Sequence, residues 1–125
     1  MKRIAFGLAA VLLSISAASA MDPAKTMDTS AGKVWTDDKG MTLYVFDKDA
    51  ANKSSCYDQC AKNWPPHMVD GDAIASGDWI IVKRDDGTTM WAYDGHPLYT
   101  FVKDAKPGDV AGDGVGGVWH AAKAD

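Results

Sequence analysis

The feature of this sequence that most constrains its fold is an internal repeat at an offset of 55 residues. Residues 43–50 align with residues 98–105, and six of these eight positions are identical. Trp64 and Trp119 match at the same offset, so the block and its flank share one register. The repeat predicts two copies of a unit of roughly fifty residues, packed around a pseudo-two-fold axis because a unit of that size cannot bury its own apolar face.

The composition favours short strands joined by turns. The chain holds 12 Gly and 5 Pro, and all of its 17 acidic residues are Asp. Aspartate is poor inside helices and good in turns because its short carboxylate binds nearby backbone N–H groups. We therefore predict an all-β fold, a small barrel or sandwich built from two pseudo-symmetric repeats. The predicted strands cover residues 34–35, 41–46, 79–83, 88–93, 98–102 and 118–121.

One short helix is expected beside the two cysteines. Ser54 or Ser55 stands where an N-cap belongs, and the helix would hold residues 56–63. It would end at Trp64, because a residue that precedes proline avoids helical geometry.

The first 20 residues have the pattern of a secretory signal peptide. Lys2 and Arg3 supply the charged start, residues 4–15 are apolar, and residues 18–20 read Ala-Ser-Ala, a cleavage site of the A-x-A type. The apolar stretch is about a dozen residues long, which is too short to span a bilayer. The assignment of residues 1–20 as a signal peptide predicts export to the periplasm or beyond, without a transmembrane segment.

The rest of the chain is long enough for one domain. Residues 21–32 are polar and lack a period, which predicts a flexible N-terminal arm. Residues 33–125 are predicted to form a single β domain, with repeats at about 34–68 and 79–122.

The charge of the mature chain limits its partners. Without Lys2 and Arg3, the 13 basic residues fall to 11 against 17 acidic ones, which gives a net charge of −6. Nucleic acids and anionic lipid headgroups are both recognised by basic surfaces, so we expect neither as a partner.

The repeated segments also predict which side chains face the interior. Side chains alternate between the two faces of a strand, so the tyrosine and phenylalanine of each copy share one face, which we expect to fill the core. The aspartate after each strand is expected to accept backbone N–H bonds of the next turn. The residues concerned are Tyr44, Phe46 and Asp49 in the first copy and Tyr99, Phe101 and Asp104 in the second.

Both copies resemble the Y-x-(F/W/Y)-x-x-D motif of a bacterial family of secreted repeats and predicted lipoproteins. Residues 60–66 and 107–119 are also similar to that family, and the resemblance covers about residues 34–122. It implies a protein of the cell envelope and no particular reaction, because the function of the family is unknown. Many members have a cysteine directly after the signal peptide. Here that position is Met21 and no cysteine precedes Cys56, so we expect no lipid anchor.

Cys56 and Cys60 are four residues apart, and in an exported chain we expect them to form a disulfide. On a helix they would lie on one face, near the upper end of the Cα separation that a disulfide accepts. The spacing is neither C-x-x-C nor C-x-x-C-H, which argues against a thioredoxin-like redox role and against covalent haem attachment. A thiolate metal site with His67 is an alternative that requires reduced cysteines.

Two kinds of metal site are alternatives to a purely structural interpretation. Imidazole and thioether ligands in an exported bacterial protein suggest copper, and closely spaced carboxylates suggest calcium. Neither set follows an established metal-binding spacing, so surface and turn positions are the simpler interpretation. The copper candidates are His67, Met68, His96 and His120, and the calcium candidates are Asp47, Asn52, Asp109 and Asp113.

No motif points to catalysis. The chain lacks a G-x-S-x-G elbow and a G-x-x-x-x-G-K phosphate loop, so we predict no catalytic residue and no enzyme. The predicted function is a secreted or periplasmic binding or interaction module of the cell envelope, with an unknown ligand and partner. The alternative is a metal-binding envelope protein that takes copper or calcium.

Overall fold

The computed structural model of the chain describes residues 23–124. The predicted signal peptide, residues 1–20, and the expected cleavage point before Met21 lie outside the described residues. The elements, in chain order, are β1 (Lys25–Thr29), β2 (Gly32–Thr36), β3 (Tyr44–Phe46), α1 (Gln59–Asn63), β4 (Trp79–Lys83), β5 (Thr89–Tyr93), β6 (His96–Pro97), a 3-10 turn (Val115–Gly117) and β7 (Trp119–Ala121).

The strands pair antiparallel in three small sheets, β1–β2, β3–β7 and β4–β5–β6. The predicted all-β fold with two repeats and one helix beside the cysteines is confirmed. Across residues 23–124 the sheets do not close into a barrel, and their layered packing fits the sandwich alternative. In the same span, no helix has the length and apolar character needed to cross a membrane.

The flexible arm predicted for residues 21–32 is wrong from Lys25 onward. β1 pairs with β2 along its whole length, and this hairpin is the counterpart of β4–β5 in the second repeat. β1 is an edge strand whose side chains are mostly exposed. Its sequence therefore carries no apolar period, although its backbone is held by β2.

The helix is shorter than predicted and begins at Gln59. Asp58, just before it, has a φ of 54°, a left-handed conformation that interrupts any helix from residue 56. Neither serine caps the helix, because Ser54 and Ser55 hydrogen-bond elsewhere. The helix does end before the two prolines, as expected.

The last segment of each repeat pairs with the other repeat. Ala122 of the second repeat donates its N–H to the carbonyl of Leu43 and accepts the N–H of Trp35, both in the first repeat. His67 of the first repeat does the same in the second, where Leu98 accepts its N–H and Trp91 donates to its carbonyl. The four distances lie between 2.8 and 3.0 Å. The two halves are therefore interlocked by an exchange of strands.

Residues 98–102, predicted as a strand, form only part of a ladder. Their partner segment contains Pro65 and Pro66, whose nitrogens carry no hydrogen. The N–H of Thr100 donates to the Pro65 carbonyl at 2.8 Å, and proline has no N–H to return. In the equivalent pairing, β3 with β7, His120 stands at the position of Pro65 and the ladder is regular.

The central strand β3 is packed on both faces. Tyr44 is fully buried in the larger core cluster, and Phe46 packs against the same cluster. Leu43, beside β3, is fully buried in a second cluster, and Val45 packs there. The two-residue alternation of the strand thus divides the interior into two clusters, one on each face of β3.

Candidate functional site

Four aromatic rings form one continuous stack at the centre of the molecule. The indoles of Trp64 and Trp119 lie parallel, with 3.8 Å between ring centroids and 2° between planes. Phe101 stacks on Trp64 at 3.9 Å, and Phe46 stacks on Trp119 at 4.2 Å. The rings alternate between the repeats, and the order is symmetric about the indole pair. The pseudo-two-fold axis therefore passes between Trp64 and Trp119.

Each repeated tyrosine binds the repeated aspartate of the other copy. The Tyr44 hydroxyl donates to Asp104 Oδ2 at 2.6 Å, and the Tyr99 hydroxyl donates to Asp49 Oδ2 at 2.6 Å. The two tyrosines also pair through their backbones, with N···O distances of 2.7 and 3.0 Å. The shared motif is therefore a reciprocal clamp between the halves of the domain.

The second oxygen of each motif carboxylate holds the turn that follows it. Asp49 Oδ1 accepts the backbone N–H of Ser55 at 2.7 Å, and Asp104 Oδ1 accepts that of Ala111 at 2.8 Å. Each aspartate thus joins its own loop to the tyrosine of the opposite repeat.

Burial sets the ionisation of these groups. Both Tyr44 and Tyr99 are fully buried, and loss of water raises the pKa of each phenol above its ordinary value. The hydrogen bond to a carboxylate raises each phenol pKa further. Burial also raises the pKa of Asp104, against the lowering effect of its bonds from Tyr44 and Ala111.

The two clamps differ in their surroundings. Tyr99 also shares a 2.6 Å hydrogen bond with Ser54, whose hydroxyl accepts a bond from the buried Arg84 guanidinium at 2.7 Å. Arg84 donates a second bond to the Cys56 carbonyl at 2.7 Å and lies over the Tyr57 ring at 4.2 Å. This network places one buried cation beside the clamp of Tyr99.

The clamp of Tyr44 has a glycine in place of that cation. The Gly112 N–H donates to the Tyr44 hydroxyl at 3.2 Å. A Cβ at Gly112 would stand 2.8 Å from Trp64 and 2.9 Å from Tyr44. The close approach of backbone to aromatic rings therefore requires glycine here.

The expected disulfide between Cys56 and Cys60 is present, with 5.3 Å between the Cα atoms. Cys56 is fully buried and Cys60 packs against the same aromatic core. With both sulfurs bonded to each other, the alternative thiolate site with His67 is not formed in this structure.

The four copper candidates do not come together. His67 Nε2 lies 2.6 Å from the Pro23 carbonyl, and Met68 beside it is largely exposed. His96 and His120 line a separate groove. Within residues 23–124, no group of three or more His, Cys, Asp or Glu side chains has the geometry to hold a metal ion.

Three of the four calcium candidates have carboxylates that already have partners. Asp47 Oδ2 lies 2.8 Å from His120 Nε2. Asp109 accepts two backbone N–H groups and pairs with Lys106 at 3.1 Å, and Asp113 accepts the N–H of Ala121 at 2.9 Å. The fourth candidate, Asn52, takes a left-handed φ of 57° in a turn.

Among residues 23–124, two concave surfaces offer room for a ligand. The larger is a cleft of about 580 Å³, and the smaller is a groove of about 330 Å³ with an apolar floor. The cleft lies between a turn of the first repeat, the segment that connects the repeats and strand β5, and it is lined by Pro23, Asp37, Asp38, Lys39, His67, Met68, residues 70–73 and Trp91. The groove is lined by Val45, Tyr93, Asp94, His96, Leu98 and residues 120–123.

Sequence reasoning missed Arg84 and the cleft carboxylates. Arg84 is the one arginine after residue 20, and its position in the first repeat is held by Thr29, so the repeat gave no hint of its role. Asp38 and Asp70 belong to turns far apart in sequence, and only the folded structure shows that both turns line one cleft.

A family model described as "Secreted repeat of unknown function" matches the chain at residues 25–68 and 80–123. The two matched segments coincide with the two interlocked halves, and each begins at or beside the first strand of a hairpin. No curated protein and no solved structure gives a significant match.

Proposed function

This chain belongs to the family of secreted repeats of unknown function, and from that premise we propose that it is a non-enzymatic binding module of the cell envelope. We place it in the periplasm or outside the cell, where a cleaved signal peptide would deliver it. The proposal has to identify which part of the molecule does the binding.

The proposal rests on one observation, which is that the side chains of the shared motif bind one another inside the molecule. The tyrosines bind the opposite aspartates at 2.6 Å, and the tryptophans stack on each other. Trp64 and Trp119 are each 5 % exposed. Buried side chains that bind one another stabilise the fold and are not accessible to a ligand. A ligand would therefore bind to the surface residues around them.

We assign recognition to the cleft, because concave surfaces between structural units are the usual places for ligands. Its rim carries Asp37, Asp38, Asp70 and Asp72 against a single cation, Lys39, and its wall includes the buried Trp91. Asp38, Asp70 and Asp72 are exposed and make no side-chain hydrogen bond in the part of the chain that the structure describes. Unpaired carboxylates around an apolar wall fit a positively charged ligand or peptide segment.

The test is ligand-dependent thermal stability. A ligand that binds only the folded state raises the melting temperature by mass action. We expect a tetravalent polyamine to raise it, and a triple variant with Asp38→Asn, Asp70→Asn and Asp72→Asn to lose most of that response. A second triple variant, Asp28→Asn, Asp58→Asn and Asp78→Asn, changes the net charge equally outside the cleft and should keep it. Equal responses of both variants would refute the cleft assignment.

The groove favours a second candidate, which is binding of a transition metal. His96 and His120 line the same groove, and His120 Nε2 is held by Asp47 at 2.8 Å. Metal-bound histidines commonly have their other nitrogen held by a carboxylate, which here leaves Nδ1 of His120 for a metal. This candidate requires a copper-dependent rise in melting temperature that His120→Ala abolishes. Metal analysis of the natural protein and thermal shifts with copper and with a chelator decide it.

A further inference from the structure

The two repeats are joined by a linker, residues 69–78, that takes little part in the contacts between them. The linker starts where Val69 N–H meets the Thr89 carbonyl and ends where Ser76 pairs with Trp79 at the start of β4. Between Val69 and Ser76 the structure describes one backbone hydrogen bond, which is local, from Ala73 to Asp70, and the Asp78 carbonyl at the end of the linker accepts the N–H of Asp94. Most of the linker side chains are exposed.

The contacts between the repeats are reciprocal and independent of the linker. They comprise the exchanged strands, the paired tyrosine–aspartate clamps and the ring stack. Each of these contacts joins a residue of one repeat to a residue of the other. All of them would form identically if the two repeats came from different chains.

We propose that the surface between the repeats is also a self-association surface, through which two copies of this chain exchange repeats. In the exchanged dimer, the first repeat of one copy packs on the second repeat of the other. Tyr44 of one molecule then donates to Asp104 of its partner copy, and the indole pair combines Trp64 and Trp119 of different chains.

The linker determines which form is favoured. A short flexible linker holds its two ends at an effective concentration of about the millimolar range, so the chain closes on itself when it folds in dilute solution. Folding at comparable protein concentrations lets a second copy compete. Once formed, the dimer persists on dilution, because separating the copies requires opening both cores.

The path of the linker gives a minimum length for closure within one chain. It runs from beside Thr89 on one side of β5 to Trp79, which pairs with Tyr93 on the other side. The two ends of the linker are therefore separated by roughly 13 Å along β5 and about 10 Å across it, which is a direct distance of about 16 Å. Deleting residues 71–76 leaves four Cα–Cα steps, which reach at most about 14 Å. The shortened chain cannot close on itself in this way.

The first experiment compares the size of three full-length proteins by sedimentation. The natural chain, refolded at micromolar concentration, should be a monomer, and the deletion of residues 71–76 should be a dimer with the same aromatic circular dichroism. A variant that replaces residues 71–76 by six Gly and Ser residues should remain a monomer, because length decides the outcome. A folded monomer of the deletion variant overturns the proposal. An unfolded deletion variant also counts against it, because exchange would preserve every contact.

The second experiment uses the natural linker and detects exchange directly. Val45 and His120 lie opposite each other in the β3–β7 ladder, where Cα atoms are about 5 Å apart and a disulfide can form. Chains with Val45→Cys and chains with His120→Cys are unfolded, mixed at millimolar concentration, refolded and oxidised. A covalent heterodimer is expected, and its absence overturns the proposal. The same chains folded separately and then mixed should give none, and a single chain with both cysteines should close internally.

Discussion

The hydroxyl of Tyr44 donates to Asp104 across 2.6 Å, although 60 residues separate them in sequence. Asp104 is 7 % exposed and receives its other hydrogen bond from the Ala111 N–H. The bond therefore connects the centre of the first repeat to the loop of the second. Its loss leaves a carboxylate in the interior without its strongest donor.

Tyr44→Phe should lower the free energy of unfolding by about 1–3 kcal/mol, because it leaves Oδ2 of the buried Asp104 carboxylate and the Gly112 N–H without a partner. Urea unfolding measures the change. Thr88→Val removes an exposed hydrogen bond of equal length to Asp86 and should cost less than about 0.5 kcal/mol. Equal losses in the two variants would show that the clamp contributes nothing beyond an ordinary surface bond.

Replacing either stacked indole should destabilise the protein strongly. Trp119→Ala removes one of the two central rings of the stack and is expected to cost about 3–5 kcal/mol. Indoles at 3.8 Å also couple electronically, so the circular dichroism should contain a signal that depends on both Trp64 and Trp119. Trp64→Phe and Trp119→Phe should each abolish that signal, and Trp35→Phe should keep it. A signal that survives both core variants would contradict the stack.

Alkaline pH should unfold the protein through its buried phenols. Burial raises the pKa of Tyr44 and Tyr99 in the folded state, whereas in the unfolded state both ionise near pH 10. The stability they contribute is therefore complete below pH 10 and is lost as the pH rises further. Above pH 10, each of these tyrosines should lower the free energy of unfolding by about 1.4 kcal/mol per pH unit. Tyr44→Phe combined with Tyr99→Phe should flatten this slope, and an unchanged slope would refute the assignment.

A methyl group at Gly112 should be poorly tolerated. Gly112→Ala places Cβ 2.8 Å from Trp64, between a backbone and an indole that cannot both move away. We expect a loss of about 1–3 kcal/mol in urea unfolding. Gly71→Ala is the matched control, because no atom lies within 4 Å of its Cβ position. The prediction fails if the two substitutions have the same effect.

Reduction of the Cys56–Cys60 bond should lower stability by about 2 kcal/mol, because the bond closes a very short loop. The comparison of oxidised and reduced protein in urea gives the value. Thiol counting without reductant should find no free cysteine in the natural protein. Two reactive thiols would contradict the bond.

The duplication allowed the architecture to be predicted, because identical spacing implied equivalent elements and a shared axis. It did not show whether Tyr44 would bind Asp49 of its own repeat or Asp104 of the other, since both lie at the same offset from a repeated tyrosine. β1 was missed because an exposed edge strand needs no apolar alternation. Arg84 was missed because a buried cation depends on partners that only the tertiary structure supplies, here Ser54 and the Cys56 carbonyl.

The metal candidates illustrate a different limit. Their residue types suit a metal ion, but spacing in the sequence does not show whether a carboxylate already accepts hydrogen bonds within the protein. Asp109 and Asp113 both accept backbone N–H groups. A carboxylate after a glycine is as useful for fixing a turn as for holding an ion. Only the positions of the hydrogen-bond donors around each carboxylate show whether it fixes a turn or is free to hold an ion.

The exchange of strands also governs the order in which this protein can fold. Trp35 donates to Ala122, and Ala124 donates to Lys33, so the first sheet is completed by the end of the second repeat. Synthesis runs from the N-terminus, and the first repeat is therefore made before the segment that completes its sheet. The core cannot form midway, and both halves close together once the second repeat is present.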